Sequence, residues 1–251
     1  MRPAEPHRVV LFGVPVDALT LEQTVAHARR LVREDRPHQH VALNAAKVVA
    51  LSGDPRLAQV IAGCDVVSAD GAAVVWASRL LGRRLPERVP GIDLMERLVA
   101  EAASDGDAVY FLGGHPQVVQ RVAQHYRARH PGLRVVGVQH GYWHDDLQVV
   151  ERIRAAAPRY LFVGLPSPRK ELWLHRHLAA LGVPFAMGVG GSFDVVAGVT
   201  RRAPRLLQRA GLEWAWRLAQ EPRRLWRRYL VGNARFAALL VGEWRRRRTV
   251  R

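Results

Sequence analysis

What most constrains this chain is the alternation of short apolar runs with helix-periodic stretches that lasts to about residue 190. Val9–Val14, His40–Leu43, Asp65–Ala69, Ala108–Leu112, Arg134–Gln139, Tyr160–Val163 and Pro184–Val189 have the length and composition of strands. Between several of them lie helix signals. Thr20-Leu-Glu-Gln23 has the spacing of a capping box and predicts a helix running to about Glu34. Asp145–Ala156 and Ser167–Leu181 are further helical stretches. Strands separated in this way by helices predict a mostly parallel sheet with helices on both faces, an α/β Rossmann-like architecture. Such folds bind ligands beyond the carboxyl ends of their strands. The alternation stops near Gly198. No β-rich run returns, and Pro204 and Pro222 stand where helices can begin. The expected organisation is an α/β domain over 1–199 and a helical appendage over 200–251, the latter too poor in apolar residues to build a large core of its own.

Charge separates the two parts further. The chain carries a net +16, and Thr200–Arg251 holds fifteen Arg against three acids (Glu213, Glu221, Glu243), a net +12. Such asymmetry predicts a polyanionic partner, either nucleic acid or an anionic membrane. No zinc-finger spacing, aromatic-interleaved RNA-binding signature or recognition-helix pattern accompanies the charge, so no nucleic acid is expected. Arginine together with Trp214, Trp216, Trp226, Trp244 and Tyr229 is the composition of helices that lie on an anionic bilayer. No apolar run approaches the roughly 18 residues that a spanning helix needs, and Met1–His7 leads into no signal-peptide core. The expectation is a soluble or peripheral protein. A lone cysteine, Cys64, set among Ile61, Val66 and Val67, predicts a buried thiol and a reducing compartment.

Several motifs could carry chemistry, and each has a plainer reading. Asp70-Gly71 follows an apolar run, placing a carboxylate at a strand's carboxyl end; the same Asp could simply cap a helix starting near Ala72. Gly113-Gly114 lies between a strand and a helix starting near Pro116. That is a diphosphate-binding geometry, and equally an ordinary tight turn. Gly188-Val-Gly-Gly-Ser-Phe-Asp194 is a second glycine-rich turn, but Phe193 occupies the third glycine position of the dinucleotide fingerprint. Asp105-Gly-Asp107 precedes a strand, at the wrong end of the sheet for a metal site, and reads as a surface turn. No metal and no cofactor are expected.

Taken in order, these segments resemble the WecG/TagA/CpsF family of glycosyltransferases. The resemblance runs through Leu43-Asn-Ala-Ala-Lys47, Ala69-Asp-Gly71, Arg88-Val-Pro-Gly-Ile-Asp93, Phe111-Leu-Gly-Gly114 and His140-Gly-Tyr142. It continues through Gly164, Glu171-Leu-Trp173, Gly188–Asp194, Arg202-Ala-Pro204, Gly211-Leu-Glu-Trp214, Arg217-Leu, Glu221-Pro-Arg-Arg224 and Arg228-Tyr229, covering about 9–236. It implies a metal-independent, inverting enzyme on the cytoplasmic face of the membrane. The implied donor is a UDP-activated N-acetylmannosamine-type sugar, and the implied acceptor is a polyprenyl-diphosphate-linked sugar. Asp70 matches the general base, Asn44 and Arg88 match positions that hold substrate hydroxyls, and Asp194 matches a nucleotide-side position. Arg217, Arg224 and Arg227 match appendage arginines that would neutralise the departing diphosphate. A family glutamine is Lys170 here, and a threonine two residues before the asparagine is Ala42. Lys170 implies an acidic donor sugar or a contact to the diphosphate, unless it faces solvent. A homo-oligomer is compatible with all of this.

Overall fold

The computed structural model describes residues 6–34 and 36–249, with the side chains of Arg209, Arg224, Arg228 and Thr249 outside the described set. The first apolar run is not one strand. β1 (Arg8–Leu11) and β2 (Val14–Asp17) form an antiparallel hairpin in which Leu11 faces Val14. Phe12 (φ 52°) and Gly13 (φ 80°) both take left-handed backbone conformations, which closes a two-residue turn. A phenylalanine in that role gives no turn signal in the sequence. The capping box stands as spaced: Gln23 N–H donates to Thr20 Oγ1 at 3.2 Å, and Thr20 N–H donates to Gln23 Oε1 at 2.9 Å. The helix it opens, α1 (Leu21–Leu31), ends three residues before Glu34.

The chain continues through β3 (His38–Leu43), α2 (Ala45–Gly53), α3 (Pro55–Ala62), β4 (Val66–Ala69), α4 (Ala72–Leu80), α5 (Gly91–Asp105) and β5 (Ala108–Gly113). There follow α6 (Pro116–Arg129), β6 (Arg134–Gln139), α7 (Asp146–Ala156), β7 (Tyr160–Gly164), α8 (Arg169–Leu181), β8 (Phe185–Gly188) and the short α9 (Ser192–Val196). β3 to β8 form one sheet in the order β4-β3-β8-β7-β5-β6, with every pairing parallel. All six carboxyl ends therefore lie along one edge.

The period-two alternation of the strands divides the core. Val109, Phe111, Phe162 and Phe185 pack on one face with side chains of α1, α5, α6 and α9. Tyr110, Leu112, Leu161 and Ala186 face the other way, onto α7 and α8. Val41, Leu43, Val67 and Ala69 join α2, α3, α4 and the hairpin in a third cluster. The turn after β8 leads to the first face, while the turns after its neighbours β3 and β7 lead to the opposite one. Divergence of this kind opens a crevice at the strand ends.

Beyond Gly198 come α10 (Arg205–Arg209), α11 (Glu213–Gln220) and α12 (Pro222–Thr249). α12 packs against α2. Its Phe236 is buried, with its ring 5.5 Å from that of Phe12, and Leu239, Leu240 and Trp244 rest on the third core cluster. Trp244 thus packs on protein, with Arg248 stacked over it at 3.9 Å, rather than standing free as an interfacial aromatic. No helix among the described residues is long and apolar enough to cross a membrane.

Candidate active site

Parallel register places Asp70 beside Asn44. Leu43 pairs with Ala69, and Asp70 N–H donates to Leu43 O at 2.7 Å, so the residues that follow β3 and β4 emerge together. Asn44 caps α2, its Oδ1 accepting Lys47 N–H at 3.0 Å. Asp70 is not a cap. That place belongs to Gly71, whose φ of 127° favours glycine and whose missing Cβ would stand 3.7 Å from Asn44 Cβ. The Asp70 side chain is left to the crevice.

The next segment adds a cation. Val89 N–H donates to Ala69 O at 2.8 Å, which holds the stretch containing Arg88 against the end of β4. Arg88 pairs with Glu213 at the start of α11. Burial pushes the Asp70 carboxyl above its ordinary range, opposed by the charges of Arg88, Lys47 and Arg217 and reinforced by that of Glu213. Among the described residues, Arg88, Lys47 and Arg217 act on this carboxylate as cations and Glu213 as an acid, the last two from α11. Those helices seat directly on the site: a Cβ at Gly211 would come within 2.5 Å of Ala72 Cβ, in the first turn of α4.

A second charged unit lies buried behind the turn that follows β8. Glu171 Oε1 accepts from Lys47 Nζ at 2.7 Å and from Lys170 Nζ at 3.1 Å. All three side chains are at least nine-tenths buried. Lys170 therefore does not face solvent. Its stem lies where a Cβ on Gly188 would be, 2.9 Å from Cδ, and its Nζ reaches to 3.7 Å from the missing Cβ of Gly190. Burial alone would raise the Glu171 carboxyl, but the two ammonium groups outweigh it and hold the pKa to about 2. Two ammonium groups thus meet on one buried carboxylate oxygen next to the turn that follows β8.

The glycines serve close packing. Gly113 has φ 117°, and a Cβ there would stand 2.6 Å from the Gly164 carbonyl carbon. Gly114 N–H donates to Gly164 O at 3.1 Å and is thus committed to protein. Gly164 in turn lies under the Phe193 ring, 2.3 Å from where its own Cβ would be. The Phe that breaks the dinucleotide fingerprint is therefore a core anchor beneath the second glycine-rich turn. Asp194 stands in the first turn of α9, and its carbonyl accepts the N–H groups of Val199 at 2.9 Å and Thr200 at 3.1 Å, turning the chain towards the C-terminal helices.

Of the appendage arginines, Arg217 acts on Asp70, whereas Arg227 is exposed with its guanidinium 5.4 Å from the Trp226 ring centre. The Arg224 backbone belongs to α12, and its side chain lies outside the described residues. Asp105 pairs with Arg29 at 2.8 Å and Asp107 with Arg33 at 3.0 Å, at the opposite edge of the sheet. Cys64 is buried, its thiol pushed up to about 12 by burial. Motif reading gave no role to Lys47, Glu171, Arg202 or Glu213, although their types carried a signal, since a buried charge requires a partner.

A carboxylate raised above its ordinary range at the strand ends of a parallel sheet, ringed by cations, defines an α/β group-transfer enzyme built for an anionic substrate. The chain belongs to the WecG/TagA/CpsF family of glycosyl transferases, whose model matches residues 9–250, and it is a glycosyltransferase. Among its relatives is the N-acetylglucosaminyldiphosphoundecaprenol N-acetyl-beta-D-mannosaminyltransferase of Bacillus spizizenii (strain ATCC 23059 / NRRL B-14472 / W23). That enzyme is 35% identical over 177 residues, covering 70% of this chain and 68% of the relative.

Proposed function

We propose that this protein moves an N-acetylmannosamine-type sugar from a UDP-sugar to a hydroxyl of N-acetylglucosaminyl-diphosphoundecaprenol or a closely related lipid-linked sugar, for cell-surface polymer synthesis. The observation that carries the reading is the half-buried Asp70 carboxylate, at the end of β4 and within the fields of Arg88, Lys47 and Arg217. Asp70 takes the acceptor hydroxyl proton as that oxygen attacks the anomeric carbon. The bond from the sugar to the β-phosphate breaks, its electron pair leaves with UDP, and a single displacement inverts the anomeric centre. A carboxylate with a raised pKa is a stronger base than an exposed one, which suits proton abstraction from an alcohol. Arg217, Arg224 and Arg227 neutralise the departing diphosphate. Asn44, Arg88 and Asp194 position the two substrates, and Lys170, beside the glycine-rich turn after β8, lies on the donor side. No metal takes part.

The acceptor's lipid tail brings the enzyme to the cytoplasmic face of the membrane. Exposed Leu206, Trp226 and Leu230, together with the arginines, supply a surface of the required chemistry. The test is incubation with a panel of UDP-sugars and a short-chain lipid-diphosphate acceptor, with products identified by mass and anomeric configuration. Transfer from UDP-N-acetylmannosamine with inversion, undiminished by EDTA, is expected. Absence of transfer from every UDP-sugar, or dependence on Mg²⁺ or Mn²⁺, would overturn the reading.

A further inference from the structure

Glu213 stands at the junction of the α/β body and the C-terminal helices, and nothing in the chemistry so far requires an acid there. It is the first residue of α11, and its carboxylate meets cations from two other segments. One oxygen pairs with Arg88, beside the end of β4. The other lies 3.9 Å from Arg202 Nε. Arg202, on the stretch that leads into α10, pairs in turn with Asp93 in the first turn of α5. The four groups form an alternating series, Arg88–Glu213–Arg202–Asp93, that is neutral overall and largely shielded, their side chains being 20–27% exposed. Within this series Arg202 Nε is buried without a hydrogen-bond partner among the described residues. Its electrostatic complement is the Glu213 carboxylate, so the series depends on that one acid.

Position on α11 gives the pairing its consequence. Arg217 follows Glu213 by four residues, hence on the same helical face, one turn along. Fixing Glu213 on Arg88 therefore fixes where Arg217 stands. The adjacent loop is pinned as well, because Gly211 leaves no room for a Cβ above Ala72.

We propose that Glu213 is a positioning residue that registers the C-terminal helices on the active site, holding Arg88 in place and carrying Arg217 to Asp70. This rests on the reading of Asp70 as the general base. Among the described residues, the charged groups that act on Asp70 are Lys47 from α2, Arg88 from the α4–α5 connection, and Glu213 and Arg217 from α11. Glu213 raises the Asp70 pKa, and it acts more strongly than Arg217, which lowers it. Replacing Glu213 with a neutral residue removes that contribution, but loss of register also withdraws Arg217 and Arg88. Arg88 acts more strongly than Glu213, so on balance the pKa rises.

The experiment compares Glu213→Gln and Glu213→Asp with the full-length wild-type enzyme, using a water-soluble lipid-diphosphate acceptor analogue. In Glu213→Gln the acid limb of kcat/KM moves up as Arg88 and Arg217 leave Asp70, and kcat falls about tenfold, since small displacements of catalytic groups are costly. Amide hydrogen exchange over 213–220 quickens. Glu213→Asp keeps the charge but shortens its reach. It retains the acid limb near the wild-type position while still losing kcat. A Glu213→Gln enzyme whose acid limb stays or moves down, with unchanged exchange in α11, overturns the proposal. Failure of the base assignment shows separately: residual activity of Asp70→Asn would then keep the wild-type acid limb.

Discussion

Replacing either side of the Lys47–Glu171–Lys170 unit should reveal its internal arithmetic. Both ammonium groups bind the same carboxylate oxygen, at 2.7 and 3.1 Å. Removing one partner of a buried pair typically costs about 3–5 kcal/mol, because the survivor is left as an uncompensated charge. In Lys47→Met the carboxylate keeps Lys170, so the loss should fall at about 3 kcal/mol, the low end of that range. In Glu171→Gln two buried ammonium groups lose a carboxylate that both of them bind, and the loss should reach about 5 kcal/mol. Urea unfolding is the assay. With a slope of about 2–3 kcal/mol per molar, Lys47→Met should lower the midpoint by about 1–1.5 M, and Glu171→Gln by clearly more. Acid titration adds an independent check. Glu171 has its pKa lowered from 4.5 to about 2, so its contribution is fully present above pH 4.5 and is lost as the pH falls towards 2. Glu171→Gln should lack that step. Equal losses in the two variants, or losses below about 0.5 kcal/mol in both, a size usual for surface changes, would refute the shared-carboxylate reasoning.

Three further outcomes follow from the geometry. Gly113→Ala should lose at least about 2 kcal/mol, since it combines left-handed backbone with a backbone clash, and a calorimetric Tm lowered by less than 2 °C would contradict the packing role. Lys170→Gln keeps the Lys47–Glu171 pair but removes the ammonium beside the turn after β8. KM for the UDP-sugar should then rise about tenfold, the equivalent of one lost charge-assisted contact, and an unchanged KM across the donor panel would detach Lys170 from donor binding. Trp226→Asp with Leu230→Asp, both at exposed positions, should abolish co-sedimentation with anionic vesicles while leaving transfer to a soluble acceptor analogue intact. Wild-type co-sedimentation would remove α12 from membrane docking.

Most of the sheet was legible in the sequence because parallel strands buried on both faces are short continuous apolar runs, as β4, β5, β7 and β8 are, whereas β3 opens on His38-Gln-His40 and the edge strand β6 is only partly covered. The hairpin was not, because Phe12 takes a left-handed turn conformation that almost any reading assigns to Gly or Asn. Asp70 could be singled out by its place after β4, yet nothing local could reject the capping role. Rejection required Gly71 at φ 127° holding that position instead. The charged groups around Asp70 were hardest to foresee. They come from residues 47, 88, 213 and 217, and only the tertiary fold brings them to one carboxylate. One compositional clue was available. The chain has 36 Arg and two Lys, and both lysines meet on Glu171. A planar guanidinium is a poor fit where the stem must pass over Gly188 at 2.9 Å, whereas a compact ammonium fits.

The most direct test of the proposed chemistry is turnover of UDP-N-acetylmannosamine by the Asp70→Asn enzyme, measured by product mass beside UDP affinity from calorimetry. Amide and carboxylate share a shape, so the substitution removes basicity and leaves the crevice intact. Loss of a positioned general base should lower kcat by about 10²–10⁴-fold, while UDP binds within about twofold of its wild-type affinity. Near-normal turnover by a folded Asp70→Asn enzyme would contradict the assignment of proton abstraction to this carboxylate.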